Sequence, residues 1–215
     1  MARITAAGEE AVLQAVRTLK RGGLVIFPTE TVYGIGADIR QPEAIKTIFA
    51  IKGRNFSQPL LIHCGNKSQL RMMVKEVPEW AEPLIDRFLP GPLALIFFRS
   101  EVVPDIVTAS RETVGIRVVA NGIFASICES LGAPLAGTSA NKSGEPGTND
   151  FAKIAPEVIG QVDLAINAGR SGSGRASTIL DLTVEPPRII RKGEIGKKEI
   201  ERVLGAVVID NDTPP

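Results

Sequence analysis

The chain is short of the side chains that most enzymes use to hold metals or to activate nucleophiles. Its 215 residues include one histidine, His63, two cysteines, Cys64 and Cys128, one tryptophan and one tyrosine. A single histidine excludes multi-histidine metal sites. Each cysteine lies in an apolar segment with no CxxC spacing, the pattern of reduced core residues in an intracellular protein. An excess of one charge is lacking too. Twenty-five Lys and Arg stand against 24 Asp and Glu, a net of +1, whereas a dedicated nucleic-acid binder carries a clear basic excess. Any polyanion site must be a local patch. No stretch is long and apolar enough for a membrane span, and the opening MARITAAGEEAV has no apolar core of signal-peptide length. The expectation is a soluble cytoplasmic protein with no membrane contact.

What is present is organised around residues 24–36, LVIFPTETVYGIG. The solid apolar run Leu24–Phe27 reads as a strand buried on both faces, ended by Pro28. Thr29, Glu30, Thr31 and Tyr33 follow. Polar groups at the end of a buried strand are where α/β proteins place ligands. Gly34 and Gly36 then suit a turn or a close backbone approach.

Apolar spacing and caps predict helices over residues 8–23, Pro42–Lys52 with Gly53 just beyond, 68–77, 78–89 anchored by Trp80, Leu84, Ile85 and Phe88, then 121–131, 150–160 and Lys197–Leu204. Runs at 59–64, Leu93–Phe98, 113–119, 162–167, 178–182 and Arg188–Arg191 read as strands, and 134–141 is a further apolar run. Helices and strands mix without repeats or linkers. That predicts one α/β domain over residues 1–204, with a large mixed sheet, and a loose tail at 205–215.

Four further polar stretches stand at element ends. Lys52-Gly-Arg54 puts two cations at a helix C-terminus, where the dipole alone would favour them. With Asn55, Ser57 and Gln58 they also suit a phosphate or carboxylate. Thr138-Ser139-Ala140-Asn141 resembles a nucleophile elbow but lacks its last glycine, and His63 is the one imidazole base available. Residues 169–177, GRSGSGRAS, nearly match a phosphate-binding loop, yet a strand follows where that loop needs a helix. They read as a flexible hairpin or an anion-holding turn. Arg191-Lys192-Gly193 ends a strand with two cations. The opening loop has no GxGxxG, so dinucleotide binding finds no support. Cations, hydroxyls and amides with few acid–base groups suit chemistry run by positioning and charge neutralisation, such as phosphoryl or nucleotidyl transfer. Local physics reaches an anionic small-molecule or nucleotide site and stops there.

Taken together, FPTETVYGIGAD, IKGRNFSQPLLIH, LPGPLALIF, TVGIRV, GTSANKSGEP, STILDL and IIRKGEI closely resemble, in order and spacing, the YrdC family of L-threonylcarbamoyladenylate synthases. The match covers roughly residues 8 to 204. The resemblance implies a twisted mixed α/β sheet with surrounding helices and a concave basic cleft. It implies formation of threonylcarbamoyl-AMP and pyrophosphate from L-threonine, bicarbonate or CO₂, and ATP, for the t6A modification of tRNA by a downstream threonylcarbamoyl transferase.

Carried over by position, Thr31, Tyr33, His63, Arg117, Ser139 and Ser177 form the threonine pocket, Arg117 pairing with the carboxylate. Lys52, Arg54, Gln58, Thr113, Asn141, Asn149 and Arg191 are the ATP side, with Lys52 and Arg54 as the catalytic pair. Mg²⁺ is expected on the nucleotide, because no acidic cluster offers it a protein cage. Two positions depart from the pattern, Gln58 where Asn or Lys is frequent and Asn149 where Thr or Ser is frequent; both keep a hydrogen-bonding group. The length implies the single-domain type. Two other readings compete: a non-catalytic tRNA- or double-stranded-RNA-binding module, and a carbamoyl-transfer module like that of hydrogenase-maturation enzymes.

Overall fold

The structure, a computed structural model, describes residues 2–210. The chain runs β1 (Arg3–Ala6), α1 (Glu9–Lys20), β2 (Val25–Phe27), β3 (Gly34–Asp38), α2 (Pro42–Lys52), β4 (Leu61–Cys64), α3 (Lys67–Met73), α4 (Glu82–Phe88), β5 (Leu93–Phe98) and α5 (Asp105–Thr108). It continues through β6 (Thr113–Val118), α6 (Gly122–Leu131), β7 (Leu135–Ser139), α7 (Pro156–Ile159), β8 (Leu164–Asn167), β9 (Thr178–Asp181), β10 (Arg188–Arg191), α8 (Lys197–Leu204) and β11 (Ile209–Asp210). The strands form one mixed sheet in the order β1-β8-β2-β3-β7-β4-β6-β5-β9-β10-β11, as the alternation of elements predicts.

Both faces of the sheet are used, and differently. Along β2 the buried side chains alternate: Val25 and Phe27 join a cluster with Ala11, Ala15 and Leu19 of α1 and Phe124 and Ile127 of α6. Ile26 points the other way, into the larger cluster with Ile45 and Ile48 of α2 and Leu84 and Ile85 of α4. The period of two thus divides the core into layers above and below the sheet. Register then fixes which residues share the α1–α6 face. Leu135, in that cluster, lies opposite His63, and His63 lies opposite Arg117. On the same side of β6, Arg117, Gly115 and Thr113 line a cavity.

Several expectations need correction. Gly34 and Gly36 do not sit in a turn; they lie in β3, between β2 and β7. Their missing side chains make room for Phe27, whose ring would stand 2.5 Å from a Cβ at Gly34. The helix expected at 150–160 breaks into a 3₁₀ turn, Phe151–Lys153, and the short α7. Ala155 is held extended (ψ 129°) by the proline that follows it. The helix expected at 68–77 begins at Lys67, where Asn66 caps it through the Gln69 amide, and ends at Met73 as Val74 pairs with Arg99. Trp80 does not anchor α4: it sits in a 3₁₀ turn, 47% exposed, while Leu84, Ile85 and Phe88 are buried. Residues 205–210 are not loose, since Val208 is buried and Ile209–Asp210 pair with β10. The rest of the expected tail lies outside the described residues. Sequence patterns also missed β1, α5 and β11, elements of two to four residues too short to show a period.

Candidate active site

The open part of the α1–α6 face forms a cavity of about 530 Å³, within the usual range of small-molecule sites, roughly 300–1,000 Å³. Its floor is strand β4, β5, β6 and β7 surface, where Gly115 and Gly137 leave the sheet bare beside Leu61. Four arginines line it, Arg54, Arg111, Arg117 and Arg191, and no aspartate or glutamate does.

The β2–β3 connection supplies one wall. Thr29 donates to the Val32 carbonyl at 2.7 Å and accepts the Thr31 amide at 3.1 Å, and the two threonine hydroxyls lie 2.9 Å apart. With the Thr29 proton committed to Val32, the Thr31 hydroxyl is the donor between them. Tyr33 also lines the cavity, but its hydroxyl is occupied. It donates to Gly169 O and accepts the Ala168 amide, both at 3.0 Å, and burial raises its pKa.

The glycine-rich stretch is neither a phosphate loop nor a free hairpin. It clamps the wall from outside. Ser173 and Gly174 amides donate to the carbonyls of Glu30 and Thr31 at 3.0 and 2.9 Å, and Ser171 Oγ donates to Thr29 O at 2.9 Å. Gly172 lies so close that a Cβ there would stand 2.4 Å from the Glu30 carbonyl carbon. Asn149 fastens this clamp through Nδ2 to Gly172 O, 2.9 Å away, and is not part of the lining.

The cations differ in how they are held. Arg191 donates through Nε and Nη2 to Ser177 O (3.1 and 2.9 Å) and through Nη2 to Ser177 Oγ (2.9 Å), which fixes both residues at the cavity edge. Burial lowers its pKa, and Arg117 and Arg54 lower it further. Arg54 donates to Pro59 O at 2.8 Å while its Nε has no partner; burial lowers its pKa also. Arg117 is 4% exposed, donates through Nε to Gly91 O at 3.2 Å, and places Nη2 2.8 Å from a Glu30 carboxylate oxygen. His63 lies edge-on to Phe27 and Phe124, and its Nδ1 has no partner. Burial, then Arg117 and Arg191, push its pKa down to about 3. The imidazole is therefore neutral near pH 7.

The structure thus gathers ten of the expected site residues around one cavity: Thr31, Tyr33, Arg54, Gln58, His63, Thr113, Arg117, Ser139, Ser177 and Arg191. Lys52, Asn141 and Asn149 stand behind it. Lys52, 5% exposed, donates to Ser139 O at 2.8 Å and to Asn141 Oδ1 at 3.2 Å. Asn141 in turn donates to Lys142 O and Glu145 O. Sequence reasoning overlooked Arg111. Arg111 has a signal: it continues the alternation Thr113, Gly115, Arg117 on one side of β6.

A cavity with hydroxyls at one side, several guanidinium groups and no lining carboxylate can hold an anionic ligand and neutralise charge that develops on it. Comparison with known proteins decides the lineage. The Sua5/YciO/YrdC family model, described as "Telomere recombination", matches residues 17–193. The chain belongs to this family.

Among relatives of this Sua5/YciO/YrdC chain, the threonylcarbamoyl-AMP synthase of Pyrococcus abyssi is 42% identical over 191 residues, covering 89% of this chain and 56% of that protein. The Bacillus subtilis enzyme of the same name is 36% identical over 93% of this chain and 58% of its own length. The chain spans little more than half the length of these two curated relatives. Among solved structures, P. abyssi Sua5 complexed with L-threonine superposes with a TM-score of 0.90 at 39% identity, over 97% of this chain and 62% of that one. Escherichia coli YciO gives 0.84 at 26% identity, over 93% and 99%. None of these names favours the RNA-binding reading. No helix among the described residues is long and apolar enough to cross a membrane.

Proposed function

We propose that this protein joins L-threonine, bicarbonate or CO₂, and ATP into threonylcarbamoyl-AMP and pyrophosphate. One observation carries the reading: Thr31, His63 and Arg117 line the same cavity as Arg54, Arg111 and Arg191. An amino acid held by the first three would lie beside a triphosphate held by the others. Relatives at 36–42% identity that bear the synthase name support it.

In this reading Arg117 takes the threonine carboxylate, and Thr31, Ser139, Ser177, His63 and the Tyr33 ring shape the rest of the pocket. Threonine's amine attacks CO₂ to give a carbamate, whose oxygen attacks the α-phosphorus as pyrophosphate leaves. Arg54 and Arg191 neutralise the charge growing on the phosphates, with Gln58 and Thr113 on the nucleotide side. Lys52 and Asn141 hold the end of β7 where Ser139 emerges, and the Lys52 charge adds to the field; Asn149 keeps the clamp closed. The lining has no carboxylate to cage a divalent ion, so Mg²⁺ arrives on the triphosphate as part of the substrate. The product serves a transferase that modifies tRNA, in the cytoplasm.

The test is pyrophosphate release from ATP, Mg²⁺ and bicarbonate with and without threonine. Release that depends on threonine, and is weaker with serine or alanine, is expected. No release, or equal release with all three amino acids, would overturn the proposal.

A further inference from the structure

Arg111 lines the cavity, is exposed, and its guanidinium makes one hydrogen bond, from Nη2 to the Ser57 carbonyl at 3.2 Å. No carboxylate among the described residues pairs with it. A guanidinium carries several N–H donors, so most of those of Arg111 are left for a ligand. Its backbone is set firmly. Ala109 and Ser110 both hold left-handed conformations, with φ of 55° and 60°, which residues other than glycine seldom adopt. The Ser110 and Arg111 amides donate to Asp105 O and Thr108 O at 2.9 and 3.2 Å. Glu112 O then accepts the Arg99 amide, which continues the β5–β6 ladder out to the residue beside Arg111.

Register sets where Arg111 stands relative to the other cavity arginines. Arg117 lies opposite His63, and Gly115 opposite Leu61. Arg54 hangs from Pro59 O and Arg111 from Ser57 O, so these contacts step outward along the chain that leads into β4. Thr113 and Arg117 are ~13 Å apart on an extended strand, at about 3.3 Å per residue, and Arg111 lies further out. Arg117 is thus at one end of the cavity, beside the β2–β3 wall to which Glu30 belongs, and Arg111 is at the other. Phosphoryl transfer adds a direction. The carbamate oxygen bonds to the α-phosphorus as the bond to the α–β bridging oxygen breaks, with attacking and leaving oxygens roughly in line. A nucleophile held at the Arg117 end therefore sends the pyrophosphate, with its charge, toward the other end. Two guanidinium forks anchored on carbonyls two residues apart suit two adjacent phosphates. We propose that Arg111 is a substrate-binding residue for the leaving pyrophosphate, holding the β- and γ-phosphates together with Arg54. This inference rests on the proposed synthase reading and adds a phosphate contact outside the stretches that carry the family resemblance.

The experiment is calorimetric titration of the full chain and its Arg111→Ala and Arg111→Lys variants with Mg²⁺–ATP, pyrophosphate and AMP. Arg111→Ala should lose about tenfold for ATP and for pyrophosphate, as expected for a charge-assisted bond, and stay within about twofold for AMP. Arg111→Lys should recover part of the loss, since it returns the charge without the fork. An equal loss for all three ligands would mean that Arg111 merely staples the loop through Ser57, and would overturn the inference. So would unchanged binding of ATP and pyrophosphate. Threonine-dependent pyrophosphate release by the wild type, measured alongside, keeps the synthase reading separate. Release without a phosphate-selective loss in Arg111→Ala removes the inference alone. No release, with the selective loss intact, removes that reading and leaves Arg111 a contact for the phosphates. Wild type that binds neither ATP nor pyrophosphate removes both.

Discussion

Lys52 Nζ lies 2.8 Å from the carbonyl oxygen of Ser139, so the last side chain of α2 ties that helix to the end of β7. Burial, then the Arg54 charge, bring the Lys52 pKa down to about 8. The unfolded chain holds this proton up to about 10.4. Between those values the unfolded state binds more protons, so the Lys52 contribution to stability rises as pH climbs through that window. Urea unfolding of wild type and Lys52→Met between pH 7 and 10.5 should show the wild type gaining on the variant across it. A constant difference would mean that Lys52 titrates normally.

His63 makes the complementary prediction on the acid side. Its folded pKa, about 3, lies far below the usual ~6.5 of an unfolded histidine. The unfolded state takes up the proton first as pH falls, so the stability contributed by neutral His63 is complete above pH 6.5 and is lost progressively towards pH 3. His63→Gln should lack this part of the acid loss, read as a smaller drop in urea midpoint from pH 7 to pH 4. The turnover profile of the wild type should also show no histidine limb between pH 6 and 8.

Much of this was legible in the sequence, and the reasons differ by element. Pro42–Lys52 opens on a proline and the helix up to Leu131 on the Asn121 cap; both carry an apolar stripe and a glycine stop, and both appear at the expected bounds. β3 was hidden because its buried glycines look like turn residues until Phe27 is seen filling their space. The site was legible as a set of polar stretches, but their roles were not separable. Nothing local distinguishes Arg54, which lines the cavity, from Lys52 two residues earlier, which faces Ser139. The same holds for the glycine-rich stretch: only the long-range bonds to Glu30 and Thr31 reveal it as a clamp. The pairing of Glu30 with Arg117 was hidden because the two are distant in the chain.

The clamp can be tested by one methyl group. Gly172 has φ +79°, and an added Cβ would stand 2.4–2.5 Å from the Glu30 carbonyl and the Thr31 amide. Gly172→Ala should therefore cost about 2 kcal/mol or more, from the left-handed conformation together with the clash. Because relief requires the Thr29–Thr31 wall to move, threonine-dependent pyrophosphate release should fall more than the loss of folded protein explains. Gly144→Ala is the control, with a similar φ of +85° but open space around its Cβ. It should lower the melting temperature slightly and leave the KM for threonine alone.

Arg54 tests the proposed division of the cavity into amino-acid and nucleotide halves. Its guanidinium is anchored through Nη2 to Pro59 O at 2.8 Å, which leaves further N–H donors of the group for a ligand. It belongs to the nucleotide side of the proposed reaction. Arg54→Ala should raise the KM for ATP about 10- to 100-fold, the loss of a charge-assisted contact of ~1.5–3 kcal/mol. The KM for threonine should stay within about twofold, because the two contacts share no partner. Removal of a neighbouring positive charge should also let the pKa of Lys52 rise, since Arg54 is the second cause of its depression. The stability gain of the protein between pH 8 and 10.5 should then shrink in the variant. If instead both KM values rise together, Arg54 supports the cavity as a whole and the division of the site into amino-acid and nucleotide halves fails.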